Sequence, residues 1–419
     1  MTIRLKVAQS SQELEDLYKL RAQVYAEQGY FTTLHGNRRY REYLVDRFDT
    51  YPYCANIVAY NDKLEQIGTL RINMYTGNGL PADEYFDFAP HRQEISEAWK
   101  AEFGEEPRVV CAGMLAVRKQ WRRHNEVIRS LFKMAGSIAR GWDITHVIAT
   151  VNFQNRTMYE RIGFKPLSEQ IWIEEIGEHV VPMAVLFEQY YQWAVGDLPA
   201  KKQWISPFFT QHQRLVVKAG EYIFKEGDRA DEAYLIDDGC IKIFRHDGQS
   251  QTELMLTLLR NGDIFGELAL IDAAPRSASA VAVSNSELLV LRRDEFNKGL
   301  DELPSKFHDL LHVLSGRLRR MDEFATVLVS GSDNQRLQFA LERFREAANE
   351  DSKHLRMYTV KAGPVDLAQF ARVSENHATQ FLNELVSQGL CEFDGRQIRF
   401  SELLADQVPN SSSWEYSSS

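Results

Sequence analysis

The sequence predicts a multidomain α+β protein: an α/β sheet domain, a β-roll with a long helix, and a helix-turn-helix with a two-stranded wing. Its 419 residues exceed the usual size of one domain. Strands and amphipathic helices alternate up to about residue 198, short strands separated by turns continue to about 298, and helical patterns follow. We therefore predict domains at 1–198, 199–298, 299–333 and 334–406, and a disordered Ser-rich tail at 407–419.

Composition excludes several classes of protein. No apolar run approaches the roughly 20 residues of a membrane-spanning helix, and the N-terminus lacks a secretory apolar core. The four cysteines stand far apart, so we expect reduced thiols, no metal site and a cytoplasmic protein. The net charge is −10, so binding to nucleic acid would require a local basic patch.

The first predicted domain alternates strands and helices. A helix is expected after an N-cap at Ser11, with Glu13 completing the cap. The other expected elements are a strand at 3–7, a hairpin over 57–72, a buried strand at 109–117, a helix over 127–138, a strand at 146–151 and a helix from about residue 155.

The second half begins with closely spaced turn signals, at 226–228, 238–239, 247–248 and 261–263, which favour a β-roll or barrel. A long apolar stripe over 303–329 then indicates either a dimerisation helix or a helix packed within one chain. Helices over 335–348, 365–371 and 374–387 precede a hairpin that turns at Asp394-Gly395.

The stretch 262–279 has the composition of a small anion-binding site. Gly266 and Ala269 let backbone N–H groups approach an anion, and a short helix from Glu267 would add its positive end. Arg276 suits a two-pronged contact with a phosphate, whereas the carboxylate of Glu267 suits a sugar hydroxyl. One phosphate, one ribose hydroxyl and an apolar wall together describe a cyclic nucleotide.

These residues resemble the phosphate-binding cassette of cyclic-nucleotide-binding domains, as found in the catabolite-activator family and in kinase regulatory subunits. The similarity lies in Phe265-Gly-Glu-Leu-Ala-Leu270 and in Pro275-Arg-Ser-Ala278. It implies Glu267 on the ribose 2′-hydroxyl, and Arg276 with Ser277 on the phosphate. The backbone of Gly266, Glu267, Leu268 and Ala269 would line that phosphate.

The same resemblance implies a ligand and an assembly. The default ligand is cAMP, but cGMP stays open because Met321-Asp322 stands where the family contacts adenine. The long helix over 303–329 resembles the family's dimerisation helix, which implies a homodimer.

The last predicted domain resembles the winged helix-turn-helix of catabolite activators in its layout, but its second helix departs in charge. Residues 374–391 contain no Lys or Arg, Glu375 would face phosphates, and Arg372 stands at a turn position where a small residue is usual. Phosphate neutralisation supplies most DNA affinity, so DNA binding is doubtful, although Asn376, Thr379 and Gln380 could touch bases. The alternative is a module that docks on the first domain or on a partner.

Four charged residues of the first domain stand inside otherwise apolar patterns: Arg21, Asp46, Asp49 and Arg71. Buried charges must pair. The two acids and two bases therefore form either a structural clamp or a substrate cradle, and the pattern alone does not choose between them.

A second pattern in this domain contains Val151-Asn-Phe-Gln-Asn155 and Tyr159-Glu-Arg-Ile-Gly-Phe164. It resembles the closing motif of the GNAT acetyltransferase superfamily, in which Asn and Tyr face the thioester. The resemblance implies that Asn152 and Tyr159 are catalytic residues, with Tyr159 as general acid to the leaving thiolate. A core tyrosine on an amphipathic helix is the alternative.

With both patterns, residues 1–190 resemble acyl-homoserine lactone synthases and long-chain N-acyl amino acid synthases. These enzymes mostly take their acyl chain from acyl carrier protein. The resemblance implies that Arg21, Tyr25, Asp46, Asp49 and Arg71 bind substrate.

Two departures from these families narrow the chemistry. Asn125 and Val127 replace the small residues of the pyrophosphate loop, which crowds the approach of coenzyme A. This favours either an acyl carrier protein as the donor or a weakened donor site. Gly113-Met114 replaces a Ser-Arg pair of the lactone synthases, so homoserine lactone synthesis is not expected. Four basic residues either dock the acidic carrier protein or form a solvated face: Arg118, Lys119, Arg122 and Arg123.

We therefore predict a cyclic-nucleotide-regulated N-acyltransferase that transfers an acyl chain from acyl carrier protein, or from acyl-CoA, to an amine such as an amino acid. The alternative is a cyclic-nucleotide-responsive transcriptional regulator whose first domain senses an acyl metabolite. The lack of basic residues in 374–391 favours the enzyme.

Overall fold

A computed structural model of the chain describes residues 2–30, 42–174, 176–195, 213–246, 253–272, 274–302, 305–350 and 357–401. They form two compact units, Met1–Val216 and Val217–Ser419. The predicted boundary near residue 198, the turn at 247–248 and the tail at 407–419 lie outside the described residues, and the finer division into domains stays a prediction. Among the described helices, none is long and apolar enough to cross a membrane.

The first unit is built on one mixed sheet with the strand order β1-β2-β3-β4-β5-β8-β6, and with β7 paired to β8. Its strands are β1 (Ile3–Val7), β2 (Cys54–Tyr60), β3 (Gln66–Met74), β4 (Val109–Val117), β5 (His146–Asn152), β6 (Lys165–Pro166), β7 (Ile171–Ile173) and β8 (Glu178–Leu186). Its helices are α1 (Ser11–Glu27), α2 (Ala89–Phe103), α3 (Asn125–Gly141), α4 (Arg156–Ile162) and α5 (Phe187–Ala194). The strand β9 (Gln213–Val217) crosses the boundary between the units.

Helix α1 begins one residue earlier than predicted, because the N-cap is Ser10 and not Ser11. The Ser10 hydroxyl accepts a hydrogen bond from the backbone N–H of Glu13, and the Glu13 carboxylate accepts one from the N–H of Ser10. Only Ser10 stands three residues before Glu13, which is the spacing that this reciprocal cap requires.

The sheet of the first unit has one apolar face and one partly polar face. Leu70 and Ile72 of β3 and Val110 of β4 lie in the main core with α3. Residues directly paired across neighbouring strands share a face of the sheet, and Arg71 is paired with both Asn56 and Gly113. The alternate residues of β3 therefore place Arg71 and Asn73 on the opposite face from the main core.

Strands β4 and β5 are parallel neighbours only in their first halves. Their paired residues run from Val109 with His146 to Ala112 with Ala149, although the two strands continue to Val117 and Asn152. Beyond that point β4 carries a bulge opposite β3, in which Met114 has a φ of +53°. We call the place where β4 and β5 cease to pair the sheet opening. A side chain added at Gly113 beside it would meet open space.

The second unit begins with a β-roll of two sheets, ordered β10-β15-β12-β13 and β14-β11-β16. The strands are β10 (Tyr222–Phe224), β11 (Glu232–Asp238), β12 (Cys240–His246), β13 (Glu253–Arg260), β14 (Ile264–Phe265), β15 (Ser279–Ala282) and β16 (Ser286–Arg292). The short helix α6 (Leu268–Ile271) follows Glu267, as predicted.

Helices dominate the rest of the second unit: α7 (Arg293–Glu302), α8 (Ser305–Ser330), α9 (Asp333–Glu346), α10 (Pro364–Ala371) and α11 (Glu375–Ser387). A four-stranded sheet accompanies them, ordered β17-β18-β20-β19. Its strands are β17 (Asn349–Glu350), β18 (Met357–Val360), β19 (Cys391–Phe393) and β20 (Ile398–Ser401). We call residues 333–401 the C-terminal module.

The C-terminal module shares a hydrophobic core with the roll. Cys240, Met255 and Leu258 of the roll belong to the same buried cluster as Leu337, Phe344 and other residues of the module. Phe324 of α8, Phe339 of α9 and Phe370 of α10 stack with ring centroids 4.8–6.5 Å apart. The second unit is therefore packed continuously from the roll to the module.

Candidate functional site

The four buried charges of the first unit form one network, which we call the charged network. Arg71 donates to both carboxylate oxygens of Asp46, at 2.7 and 2.8 Å, and its Nη1 lies 2.8 Å from Asp49 Oδ2. Arg21 donates to Asp49 Oδ1 at 2.8 Å and to Asn56 Oδ1 at 2.6 Å. The sequence reasoning named all four charges, and the structure brings them together.

The pKa values of this network reflect mutual neutralisation. Burial opposes the ionisation of Asp49, but Arg21 and Arg71 outweigh it and hold the pKa of that carboxyl below its usual value. Burial similarly disfavours the charge of Arg71, yet Asp46 and Asp49 raise its pKa. Both arginines are at most 1% exposed, whereas the side chain of Asp46 is 22% exposed. Asp46 is thus the member of the network that is open to a ligand.

A local capping pattern explains why Asp46 and Asp49 stand three residues apart. They flank a 3-10 turn, Arg47–Thr50, in which Asp46 Oδ1 accepts from the N–H of Phe48 and Asp49 Oδ2 accepts from the N–H of Asp46. Each carboxylate therefore fixes the turn and also holds an arginine.

Asn152 is the last residue of β5, and Tyr159 lies on α4, where it packs against the main core. The ring of Tyr159 on α4 packs against Phe132 and Phe164, with centroids 6.1 and 5.3 Å away. Burial, and after it the neighbouring Tyr25, raises the pKa of Tyr159. Burial raises the pKa of Tyr25 to about 12. Both tyrosines therefore keep their protons at neutral pH.

The side-chain amide of Asn152 is held at both ends. Its Oδ1 accepts from the N–H of Gln154 at 2.8 Å, which caps a 3-10 turn at Phe153–Asn155. Its Nδ2 donates to the hydroxyl of Tyr30 at 3.0 Å. Sequence reasoning did not identify Tyr30, although the Gly29 before it is the usual signal that a helix ends there.

In the segment where a coenzyme A pyrophosphate loop would lie, the expected crowding by Asn125 and Val127 is only partly present. Val127 is fully buried in the main core, so its side chain does not crowd the start of α3. Asn125 is exposed at that start. Arg118 and Arg122 bond to backbone carbonyls of Gln66 and Val117. Of the four predicted basic residues, Lys119 and Arg123 are exposed, whereas Arg118 and Arg122 are half-buried.

In the second unit, the predicted anion site places Gly266 beside Arg276. Gly266 has a φ of +72°, and an added Cβ would lie 2.6 Å from Nη1 of Arg276. Arg276 Nη1 donates to the carbonyl of Gly266 at 3.1 Å, and the guanidinium lies 4.1 Å from the ring centroid of Phe224. A glycine is needed here because of both the backbone conformation and the close approach of Arg276.

Arg276 is buried but forms no ion pair among the described residues. The acidic residues around it influence its charge through space and do not bond to it. Burial lowers its pKa. Its backbone is fixed by two hydrogen bonds with the turn before β11, since Arg276 N donates to Asp228 O and Gly227 N donates to Arg276 O, both at 2.9 Å. Among the described residues this guanidinium is buried, rigidly held and without a carboxylate partner, and such a group is suited to an anionic ligand.

The remaining predicted residues of this site differ in exposure. Glu267 is buried at the start of α6, whereas Leu268 and Ser277 are exposed. Ala269 lies in α6, but its side chain is outside the described residues. Phe224 and Tyr234, whose rings face the guanidinium of Arg276, were not predicted, because their strands adjoin the cassette only in the folded roll.

In the C-terminal module, α10 and α11 are joined by a tight turn. Arg372 adopts a left-handed conformation there, with φ of +57°, and Ser374 caps α11. His377 contacts Asp333 Oδ2 at 3.2 Å and Asn334 Oδ1 at 3.1 Å, so the first turn of α11 is held against the start of α9. The exposed positions of α11 are Glu375, Asn376, Gln380, Asn383, Glu384, Val386 and Ser387, none of them basic.

Family models match two parts of the chain. Residues 16–185 match the model of the N-acyl amino acid synthase FeeM, and residues 214–302 match that of the cyclic nucleotide-binding domain. These ranges contain the charged network with the sheet opening, and the Arg276 site, respectively. The first unit thus contains an acyltransferase domain and the second unit a cyclic-nucleotide-binding domain.

Individual proteins match as well. The cyclic AMP receptor protein of Thermus thermophilus is 33% identical over 187 residues, which cover 42% of this chain and 79% of that protein. A CRP-like cAMP-activated global transcriptional regulator of Mycobacterium tuberculosis is 26% identical over 47% of this chain and 88% of its own. A solved structure of FeeM from uncultured soil microbes overlaps 45% of this chain and 94% of that one, with 17% identity and a TM-score of 0.36. By its similarity to the Thermus thermophilus protein, the chain belongs to the family of the cyclic AMP receptor protein, and its residues 16–185, ahead of the cyclic-nucleotide-binding domain, match the N-acyl amino acid synthase FeeM model.

Proposed function

We propose that this protein is an N-acyltransferase regulated by a cyclic nucleotide. It would transfer an acyl chain from acyl carrier protein, or from acyl-CoA, to an amine such as an amino acid. The observation that carries the proposal is the sheet opening, with Asn152 at the end of β5 on one side and the bulge at Met114 of β4 on the other. An extended thioester can bind between strands that have separated, because their backbone groups are not used by each other.

The reaction needs one nucleophile and one acid. The amine nitrogen of the acceptor attacks the thioester carbonyl, the carbon–sulfur bond breaks, and the leaving thiolate takes a proton. In this proposal Tyr159 is the acid. Burial raises its pKa, so the hydroxyl is protonated at neutral pH, and its proton passes to the sulfur as the carbon–sulfur bond breaks. The nitrogen loses a proton as the amide forms, and a proton returned through solvent restores the tyrosine hydroxyl.

The charged network contributes mainly by fixing the site. Arg21, Arg71 and Asp49 are buried and engaged with one another. The partly exposed carboxylate of Asp46 offers a contact for the positively charged or hydrogen-bonding amine of an acceptor. The sequence left open a structural clamp or a substrate cradle. We favour the clamp, with Asp46 as the one member of the charged network that contacts substrate. Tyr25 lines the same region.

An acyl carrier protein remains the favoured donor. Lys119 and Arg123 are exposed beside the start of α3, where they can attract an acidic partner. Fewer residues support this donor than the sequence indicated. Arg118 and Arg122 bond to the backbone, and Val127 is buried in the core. Acyl-CoA therefore belongs in any test as a second donor.

The regulatory ligand in this proposal is cAMP, with cGMP as the alternative. Arg276 and Ser277 bind its phosphate together with the backbone of 266–269, and Glu267 binds its ribose. To move an equilibrium from 1:99 to 99:1, the nucleotide must prefer one arrangement by about 5.5 kcal/mol. The protein would act as a homodimer through α8, where Leu311, Leu318 and Met321 are exposed.

A second candidate function follows from the similarity to cAMP-activated transcriptional regulators. The acidic and neutral surface of α11 opposes it, because phosphate contacts require basic groups. A gel-shift experiment at several salt concentrations, with and without cAMP, separates the two. Sequence-specific retardation of DNA would favour the regulator.

The decisive experiment assays the full-length purified protein. Acyl carrier proteins and coenzyme A esters of several chain lengths are incubated with a panel of amino acids, and the products are identified by mass spectrometry. We expect an N-acyl product whose rate changes with cAMP or cGMP, is lost in Tyr159→Phe and no longer responds to nucleotide in Arg276→Ala. Absence of any acyl product from every donor and acceptor would refute the proposal.

A further inference from the structure

We propose that Tyr30 is a positioning residue of the acyltransferase site, which it serves by holding the amide of Asn152. This inference rests on the proposed function. Asn152 comes from β5 and Tyr30 from the turn after α1, so the hydrogen bond joins parts of the chain separated by 122 residues.

The local sequence fixes Tyr30 without help from the rest of the site. Helix α1 ends at Glu27, and Gly29 takes a φ of +78°. The N–H of Gly29 then bonds to the carbonyl of Ala26, and the N–H of Tyr30 bonds to that of Tyr25, both at 3.0 Å. This is the Schellman arrangement, in which a glycine in the left-handed region reverses the chain at a helix end.

The aromatic ring of Tyr30 is held as firmly as its backbone. It meets the ring of Tyr25 edge to face, with centroids 5.6 Å apart. The Schellman arrangement commonly includes an apolar contact between these two positions. Both rings also pack against the buried pair Ala22 and Leu44, and so does Met114, the residue at the bulge of β4. Tyr30 therefore stands beside the sheet opening.

The hydroxyl of Tyr30 completes the restraint on Asn152. The carbonyl end of the Asn152 amide is already fixed by Gln154, and the amino end is fixed by Tyr30 at 3.0 Å. Burial raises the pKa of Tyr30, so the hydroxyl remains neutral at neutral pH. With both ends occupied, the amide presents one orientation to a thioester in the opening, which lowers the cost of ordering the site during the reaction.

The test compares Tyr30→Phe, Asn152→Ala and the double variant in the acyl-transfer assay, with full-length protein and the best donor. We expect Tyr30→Phe to lower kcat about tenfold, with the KM of the donor unchanged within about twofold, because the loss of one hydrogen bond is a change of about that size. The double variant should be no slower than Asn152→Ala, since Tyr30 acts through Asn152. Tyr43→Phe is the control, because its hydroxyl bonds to Glu15 near the start of α1 and not to Asn152.

Two substitutions at Gly29 test the same idea without touching the ring. An added Cβ there meets open space, so only the positive φ restricts the choice. Gly29→Asn should retain activity because asparagine tolerates the left-handed region, whereas Gly29→Val should lose activity as Tyr30→Phe does.

The outcomes distinguish two failures. A wild-type protein that transfers no acyl chain would contradict the proposed function itself. If the wild type is active, two results would overturn only the role of Tyr30. One is a Tyr30→Phe variant as fast as wild type. The other is a double variant whose fold loss of kcat equals the product of the two single-variant losses. The NMR signals of the Asn152 side-chain amide provide a second readout, and their loss in Asn152→Ala identifies them. Their chemical shifts should change in Tyr30→Phe but not in Tyr43→Phe.

Discussion

Arg71 and Asp46 are joined by two parallel hydrogen bonds, of 2.7 and 2.8 Å, between a central strand and a 3-10 turn. The same turn offers Asp49 to Arg21 of α1. A planar guanidinium paired with both oxygens of a carboxylate fixes direction as well as distance. This pair therefore ties the turn to the sheet on the partly polar face of the first unit.

Asp49→Asn should destabilise the first unit by about 3 kcal/mol. The substitution leaves Arg21 and Arg71 buried with less negative charge beside them, and breaking a buried pair typically costs 3–5 kcal/mol. The urea midpoint of the full-length protein measures this. The matched control is Asp143→Asn, whose exposed pair with Arg108 should contribute less than about 1 kcal/mol. Equal midpoints for the two variants would contradict the prediction.

The stability of the first unit should also fall in acid because of Asp49. The pKa of Asp49 is lower in the folded protein than its ordinary value of 3.8. Its contribution is therefore complete above the unfolded pKa and is lost as the pH falls through the lower, folded one. Unfolding free energies measured between pH 6 and pH 2 should decrease more steeply for wild type than for Asp49→Asn. Parallel curves would assign the acid sensitivity to other carboxylates.

Arg276→Ala should weaken cyclic-nucleotide binding by about 100-fold or more. Removing one partner of a buried charged hydrogen-bonded pair costs 2–5 kcal/mol, and each 1.4 kcal/mol is a factor of ten. Calorimetry with cAMP and with cGMP measures the loss. Arg292→Ala is the control, because that arginine is half-exposed and pairs with acids at the surface of the same unit. Unchanged affinity in Arg276→Ala would refute the placement of the phosphate.

Gly363→Ala should destabilise the C-terminal module by about 1–3 kcal/mol. A Cβ at Gly363 would lie 2.6 Å from the carbonyl oxygen of Gly395, and backbone atoms cannot move aside as a flexible side chain can. Gly395→Ala is the control from the same contact, because its own Cβ would meet open space. Hydrogen exchange of the amides in α10 provides the measurement, and equal protection in both variants would contradict the expected clash.

The sequence predicted which charged residues pair inside the first unit, but not how they meet. Periodicity showed that Arg21, Asp46, Asp49 and Arg71 are charges in apolar surroundings, and this alone required them to pair. It could not show that one aspartate serves both arginines, because that arrangement depends on strands far apart in sequence. Tyr30 escaped notice for the same reason: its partner, Asn152, lies 122 residues away.

Predictions from short sequence patterns depended on the exact spacing of the residues. The N-cap of α1 was placed at Ser11, although only Ser10 has the spacing for a reciprocal bond with Glu13. Val127 was expected to crowd a phosphate loop, but helical periodicity turns its side chain into the core. In the cassette at 262–279 the glycine, helix start and arginine are close neighbours in sequence, and the structure brings Gly266 and Arg276 into contact. Their roles toward a nucleotide stay a prediction.

The shared core of the second unit has a practical consequence for anyone who shortens this chain. Cutting before Asp333 would remove the module and uncover Cys240, Met255 and Leu258 on the roll, as well as one side of Phe324. Such a fragment should aggregate rather than behave as a free-standing nucleotide sensor. The C-terminal module can thus be indispensable to the protein as packing, whether or not it ever contacts DNA.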